Sequence, residues 1–230
     1  MESFECNICQ DEGGMVALGE DGTEYWRSCE CAERKRIKRL MQFSQITEEF
    51  QKKMFGNFNL EGRPPLVAQA FEVARSYVLD FQKARCTPQN SIALLGRPGC
   101  GKTHLLMAVS NNLLSRGIEV LYFPWVEGFN GIKDDLSKME EKVHRLRECE
   151  VLYIDDMFKG RGKPTDFQLE QLFGIVNHRY LEKKPLLISS EKTIAQICEI
   201  DEGIGSRINE MCRDYRVTLS GGIELNYRLK

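Results

Sequence analysis

Eight residues near the middle of the chain have the types and spacing of a phosphate-binding loop. They run from Gly96 to Thr103 in the pattern G-x-x-x-x-G-K-T, between an apolar stretch at 91–95 and a helix-like stretch at 104–109. Glycines let backbone N–H groups converge on an anionic oxygen, and the next helix adds the positive end of its dipole. Lys102 can then reach the β- and γ-phosphates of ATP, and the Thr103 hydroxyl can ligate Mg²⁺.

The loop and the first residues of its helix form the predicted nucleotide site. The residues expected to contact nucleotide here are Gly96, Arg97, Pro98, Gly99, Cys100, Gly101, Lys102, Thr103 and His104. A glycine-rich turn between a strand and a helix is the alternative, but every specified position of the motif is filled. Cys100 lies beside the helix start, where a thiol is easily activated.

Two carboxylates follow a second apolar stretch about fifty residues further on. Residues 151–154 are apolar and lead directly into Asp155 and Asp156. A buried parallel strand that ends in acid beside a P-loop predicts Asp155 in the Mg²⁺ shell and Asp156 orienting or deprotonating the attacking water. The alternative is a core strand that ends in a pair of helix-capping aspartates.

Four cysteines near the N-terminus form two close pairs, Cys6 with Cys9 and Cys29 with Cys31. Two thiolate pairs can close a tetrahedral Zn²⁺ site, and the residues between them read as a hairpin that turns at Asp21-Gly22. Four reduced structural cysteines, or a redox pair, are the alternatives. Because the segment is too short to have its own core, we expect zinc to hold it together.

The whole chain has the size of one medium domain with a small appendage. It has 230 residues and a formal net charge of −2, so charge does not identify a partner, and any nucleic-acid surface must be local. The N-terminus is acidic and lacks the apolar core of a signal peptide, and no apolar run is long enough to cross a membrane. We expect a cytoplasmic protein with no membrane partner.

Glycines and prolines between residues 55 and 65 mark a linker, which predicts a zinc-binding segment at 1–57 and an ATPase domain at 58–230. The segment includes a helix-compatible stretch at 32–41 with five basic residues. Such a run can contact nucleic acid or an acidic partner, but more often it is a solvated helix face.

Strand and helix patterns alternate through the second region. Helices are predicted at 66–81, 127–148, 165–183 and from 203, and the stretch at 127–148 is either one helix or a pair. Strands are predicted at 118–123, 151–154 and 185–191. A final core strand is predicted at 215–219 and an edge strand at 223–229. This alternation predicts an α/β fold with a parallel sheet between helices.

With these motifs in this order, the chain resembles the AAA+ ATPases of the DnaC/DnaI helicase-loader group, whose core is shared by the transposition helper IstB. The resemblance covers about residues 57–219, and the N-terminal cysteines are similar to the zinc-bearing, helicase-binding region of DnaI-type loaders. It implies an AAA+ P-loop NTPase core without a C-terminal lid. It also implies a homo-oligomeric ring or spiral when ATP is bound, with ATP at subunit interfaces.

The resemblance places an arginine finger at Arg207, which would complete a neighbouring subunit's site. Such fingers change the rate by about 10³–10⁵, so a monomer should hydrolyse ATP poorly. A surface arginine near a helix start is the alternative. The family usually has an Asn that senses the γ-phosphate, but this chain has Ser189-Ser190-Glu191, with Glu191 at the expected position. A carboxylate would repel phosphate, so either Ser190 senses it or the coupling differs.

Three functions are consistent with these residues. The first is an ATP-dependent loader that places a replicative hexameric helicase on single-stranded DNA, with the segment at 127–148 as a further candidate DNA contact. The second is an IstB-like transposition helper, which would bind duplex DNA and is disfavoured by the zinc cysteines. The third is a zinc-finger binding module with a merely structural nucleotide site.

Overall fold

The N-terminal segment is a hairpin followed by a helix. A computed structural model describes residues 4, 6–160 and 162–229; residues 1–3 and 5 of the predicted zinc segment, and 161 and 230 of the predicted ATPase domain, lie outside these. Strands β1 (Gly14–Leu18) and β2 (Glu24–Ser28) pair antiparallel, which confirms the predicted hairpin. Helix α1 (Glu30–Phe43) contains the predicted basic stretch, and α2 (Glu48–Gln51) follows.

A five-stranded parallel sheet forms the second region. Its strands are β3 (Ile92–Gly96), β4 (Val120–Pro124), β5 (Val151–Met157), β6 (Leu186–Ser190) and β7 (Tyr215–Leu219). Their order is β4-β5-β6-β3-β7, so β6 lies between the strand that leads into the P-loop and the strand that ends in the aspartates. The carboxyl ends of all three strands therefore meet at one edge of the sheet. Strand β7, predicted as a core strand, is an edge strand of this sheet and pairs with β3.

Helices cover both faces of this sheet, as the alternating pattern predicts. They are α3 (Pro65–Ala84), α4 (Lys102–Ser115), α5 (Trp125–Lys133), α6 (Met139–Glu148), α7 (Asp166–Leu181), α8 (Ile194–Ile200) and α9 (Glu202–Met211). The predicted helix at 127–148 is a pair, α5 and α6. The short α8 was not predicted, although Thr193 and Gln196 form a capping box at its start.

The chain between α1 and α3 packs against the second region. Ile46 and Phe58 are buried in the same cluster as Tyr77 of α3 and Leu106 of α4. The Tyr122 N–H of β4 donates to the Ser44 carbonyl at 2.8 Å. Residues 44–58, which we call the connecting segment, thus share a core with the sheet, and the domain boundary after residue 57 stays a prediction.

The predicted edge strand at 223–229 is wrong. These residues form two 3-10 turns, Ile223–Leu225 and Tyr227–Leu229. Leu225 is buried while Ile223 and Leu229 are exposed. The Tyr227 N–H donates to the Gly99 carbonyl instead of to a neighbouring strand. Among the described residues after β7, 220–229, there are these two turns and no α-helix. Among the described residues, no helix combines the length and apolar character that crossing a membrane requires.

Candidate functional site

The P-loop leaves β3 and ends at the first turn of α4. Gly96, Gly99 and Gly101 all have positive φ angles, of 109°, 74° and 96°. These left-handed conformations curl the loop, and they favour glycine because it lacks a Cβ. Gly101 caps α4 without a side-chain hydrogen bond, so the first N–H groups of the helix are open to an anion. The loop therefore fits a nucleotide phosphate.

Lys102 lies inside the curl of the loop. Its Nζ donates to the carbonyls of Gly96 and Arg97, both at 2.7 Å, and the side chain is buried. Burial lowers the pKa of the Lys102 ammonium group. A buried ammonium group beside converging N–H groups is suited to a polyphosphate. The phosphates would give the ammonium group the negative partner that the neutral carbonyls do not provide.

Asp155 is buried at the end of β5 and accepts four hydroxyl hydrogen bonds. Thr103 and Tyr122 donate to it at 3.1 Å, Tyr153 at 2.7 Å and Ser189 at 2.5 Å. Burial, followed by the nearby Asp155 carboxylate, raises the pKa of both tyrosines, so these phenols stay protonated as donors. The Thr103 hydroxyl and the Asp155 carboxylate are brought together, as a Mg²⁺ site beside a P-loop requires.

Asp156 is more exposed than Asp155, and its backbone N–H points toward β6. Its backbone has φ of 52°, and its N–H donates to the Ser189 hydroxyl at 2.7 Å. Its carboxylate lies 2.6 Å from the Lys159 ammonium group, which also lies 3.6 Å from Glu191. Sequence reasoning missed Lys159, because an isolated lysine after the acidic strand carries no motif.

The Ser190 side chain is buried at the end of β6. Its hydroxyl donates to the Met157 carbonyl at 2.6 Å and accepts from the Lys192 N–H at 3.2 Å. The hydroxyl thus joins the end of β5 to the turn after β6. Its predicted role as a phosphate sensor stays a prediction.

The residues after β7 contact the P-loop at Arg97 and Gly99. Arg97 donates from Nη1 to the Gly221 carbonyl at 2.8 Å, and Gly99 accepts from the Tyr227 N–H at 3.1 Å. The Arg63 guanidinium carbon lies 4.1 Å from the centre of the Tyr227 ring and 4.6 Å from that of Phe58. This stack borders the loop, and sequence reasoning missed it because its members are distant along the chain.

Cys100 is buried, and its thiol donates to the Arg97 carbonyl at 2.8 Å. Burial raises the pKa of this thiol despite Lys102 and Arg97 nearby. Burial of this thiol therefore opposes its activation by the positive charges and the helix start.

His104 and Asn111 connect α4 to the connecting segment. His104 Nε2 lies 3.0 Å from the Met54 carbonyl, and the Asn111 amide donates to the carbonyls of Phe50 and Lys53 at 2.9 Å. Since Met54 offers only an acceptor, its contact requires the proton on Nε2. His104, predicted to contact nucleotide, thus contacts the chain that leads back to the zinc segment.

Arg207 lies on α9, and its contacts are made with α7 and α9. Its Nε donates to Asn177 Oδ1 at 3.0 Å and its Nη1 to the Gly203 carbonyl at 2.7 Å. The guanidinium group also lies over the rings of Phe173 and Tyr180. The structure does not bring Arg207 into contact with its own P-loop, and a role in a neighbouring subunit's site stays a prediction.

The four N-terminal cysteines converge on one point. All four thiol sulfurs are buried and lie within 4.8 Å of one another; the Cys6–Cys29 and Cys9–Cys31 pairs are 3.7 and 3.2 Å apart. Zinc–sulfur bonds of about 2.3 Å in a tetrahedron place sulfurs about 3.8 Å apart, so the cluster fits Zn²⁺. The backbone N–H groups of Cys9 and Ile8 lower the pKa of the Cys6 thiol to about 6, whereas the Cys9 hydrogen bond and burial raise the pKa of the Cys31 thiol, so Cys6 ionises before Cys31 in this cluster.

A P-loop that follows a parallel strand, with an acidic strand end two positions away in the same sheet, is typical of AAA+ ATPases. Residues 51–212 match the family described as the bacterial DnaA ATPase domain. The chain belongs to this nucleotide-binding ATPase family.

Two relatives from Bacillus subtilis strain 168 match nearly the whole chain. YqaM is 51% identical over 225 residues, which cover 94% of this chain and 72% of YqaM. The phage-like element PBSX protein XkdC is 44% identical over 232 residues, which cover 99% of this chain and 87% of XkdC. The stretch shared with XkdC includes the four N-terminal cysteines.

Solved structures of replication proteins share the fold. The DnaC helicase loader superposes with a TM-score of 0.60 at 17% identity, over 76% of this chain and 100% of that one. Replication initiator DnaA bound to AMPPCP and single-stranded DNA gives a TM-score of 0.59 at 21% identity, over 77% of this chain and 52% of that one. This chain thus corresponds to about half of the DnaA structure, and at these identities the likeness concerns the fold.

Proposed function

We propose that the protein is an ATP-dependent loader that places a replicative hexameric helicase on single-stranded DNA in the bacterial cytoplasm. The observation that supports this most directly is the physical connection between its two sites. Helix α1 begins at the cysteine cluster and continues into the connecting segment. Carbonyls of that segment accept from His104 and Asn111 of α4, whose first residue is Lys102.

MgATP, when bound, supplies the γ-phosphate that is transferred to water. The open N–H groups of the P-loop and Lys102 would hold the phosphates, and Thr103 with Asp155 would hold Mg²⁺. Asp156 would orient the water or take its proton. A shift of α4 on nucleotide binding would move the connecting segment, because the two are tied by hydrogen bonds.

The zinc hairpin is the proposed helicase contact. Val16 and Trp26 face each other across the strands, and together with Leu18 they expose 62%, 56% and 70% of their surface. Large apolar side chains exposed together on a small rigid unit are typical of a protein contact. Zinc would fix the hairpin so that these side chains are presented in one orientation.

Single-stranded DNA is the second proposed partner. The basic side chains of α5 and α6 make contacts within the chain: Lys142 donates to the Gly131 carbonyl at 2.6 Å, and Arg145 to the Phe43 carbonyl at 2.5 Å. Arg34, Lys38 and Arg39 of α1 are exposed instead. We therefore propose α1, rather than α5 and α6, as the DNA contact.

A helicase-loading assay tests the proposal. Full-length protein, with its zinc content measured, is mixed with a bacterial hexameric helicase and circular single-stranded DNA. We expect Lys102→Ala to bind helicase but not load it, and the pair Leu18→Ser and Trp26→Ser to keep ATP binding but lose the helicase. Helicase capture by the hairpin variant at the wild-type level would refute the hairpin contact. Duplex binding with stimulation of a transposase would instead favour the transposition helper.

A further inference from the structure

Glu191 creates an electrostatic problem at the nucleotide site. It follows β6 directly, between the P-loop strand and the strand that ends in Asp155 and Asp156. Three carboxylates thus lie along the edge that faces the phosphates, and Lys102 is the buried cation among them. Carboxylates beside a bound phosphate would oppose its binding, and Mg²⁺ at Asp155 would leave Asp156 and Glu191 without a cation unless the protein supplies one.

Lys159 is that cation, and the fold holds it in place. Its Nζ lies 2.6 Å from Asp156 Oδ2 and 3.6 Å from Glu191 Oε1. Its backbone N–H donates to the Asp156 carbonyl at 2.9 Å, which closes a tight turn after β5. Phe158, inside this turn, has φ of 63° and is buried against the Trp125 ring, with the ring centres 5.0 Å apart. The turn therefore returns Lys159 to the sheet edge.

The charge of Lys159 affects the pKa of Lys102 in the P-loop. Burial is the main cause of the lowered pKa of Lys102; Asp156 and Glu191 oppose this lowering, and Lys159 adds to it. The two ammonium groups and the two carboxylates thus share one electrostatic environment. A phosphate oxygen bound at the P-loop would be attracted by both ammonium groups.

We propose that Lys159 contacts the γ-phosphate and takes the place of the neutral amide that loaders carry after this strand. An ammonium group has three donors, so a phosphate oxygen can replace the longer contact with Glu191 while the contact with Asp156 is kept. Lys159 then distinguishes a triphosphate from a diphosphate and holds Asp156 beside the γ-phosphate. This inference rests on the proposed nucleotide site.

Nucleotide affinities of the full-length protein test the inference without relying on hydrolysis. AMPPNP and ADP, each with Mg²⁺, are titrated into the wild type, Lys159→Gln, Lys159→Arg and Lys163→Gln. Lys163 is an exposed lysine four residues further along the chain and serves as the matched control. We expect Lys159→Gln to weaken AMPPNP binding about tenfold and to change ADP binding less than twofold. The arginine variant should keep the preference for AMPPNP, and Lys163→Gln should match the wild type.

Removal of the neighbouring carboxylate gives an independent readout. Glu191→Gln should strengthen AMPPNP binding relative to ADP, because a like charge is removed beside the γ-phosphate. Equal weakening of AMPPNP and ADP by Lys159→Gln, or no weakening of either, would overturn the role of Lys159 and leave the proposed function intact. Failure of the wild type to bind either nucleotide would overturn both.

Discussion

The Thr103 hydroxyl donates to Asp155 Oδ1 at 3.1 Å and so joins the first turn of α4 to the end of β5. Three further hydroxyls, from Tyr122, Tyr153 and Ser189, donate to the same carboxylate. The Asp155 oxygens are therefore oriented by the protein before any metal binds. Such preorganisation would leave Asp155 ready to bind Mg²⁺ together with Thr103 in the proposed site.

The first prediction concerns this carboxylate. Asp155→Asn keeps the size of the side chain but removes the charge that binds Mg²⁺, so we expect Mg²⁺-dependent ATP hydrolysis to fall by about 10²–10³. Mg²⁺-free nucleotide binding should change little. Hydrolysis with and without Mg²⁺ measures the effect, and Asp134→Asn, a change at the end of α5, is the control. Undiminished Mg²⁺-dependent hydrolysis would rule out the assignment.

The P-loop, the acidic strand and the cysteine cluster could be predicted from the sequence, because each depends on residues close together in the chain. The hydroxyls around Asp155 could not be predicted, since they depend on which strands are neighbours and in what register. The stack of Arg63 between Phe58 and Tyr227 depends on packing across most of the chain. The alternation of apolar and polar residues at 223–229 wrongly predicted an edge strand. An edge strand also needs a partner strand, and here the Tyr227 N–H donates to the P-loop instead.

The second prediction concerns Arg207, whose contacts in its own subunit are to Asn177 and Gly203. If it acts on a neighbour, Arg207→Ala should lower hydrolysis by about 10³ in the assembled protein. Mixing Arg207→Ala with Lys102→Ala subunits should then restore part of the activity, because some interfaces combine an intact loop with an intact arginine. The control is Arg213→Ala, an exposed arginine after α9. Absence of rescue at every mixing ratio would contradict action between subunits.

The third prediction concerns zinc. Structural zinc contributes on the order of 10 kcal/mol to a small unit without a core, so a zinc-selective chelator should unfold the hairpin. Trp26 is 56% exposed on that hairpin and Trp125 is buried beside the sheet, so only Trp26 fluorescence should shift to the red. ATP binding in excess Mg²⁺ should persist, because the connecting segment is held to α4 by contacts that do not involve zinc.

A Trp26→Phe variant provides the control for this measurement. Its remaining tryptophan, Trp125, should not respond to the chelator. A change in the Trp125 signal, or loss of ATP binding on zinc removal, would show that zinc stabilises the sheet as well as the hairpin.

The last prediction concerns Gly99, where the P-loop meets the residues after β7. A Cβ at Gly99 would lie 1.8 Å from Asn226 Oδ1, and the φ of 74° adds strain for any other residue. We expect Gly99→Ala to destabilise the fold by about 2 kcal/mol, of which about 1 kcal/mol comes from the left-handed backbone. The midpoint of thermal unfolding should therefore fall by about 4–8 °C. Gly131→Ala, on α5 with open space around it, should be neutral or stabilising.

A second substitution separates the two causes. Asn226→Gly removes the contacting side chain, so the double variant Gly99→Ala with Asn226→Gly should recover the part lost to contact and keep the part due to backbone strain. The recovered part should be about half of the total. Additive effects of the two single changes would show that Gly99 and Asn226 do not touch in solution, and that the residues after β7 do not lie on the P-loop.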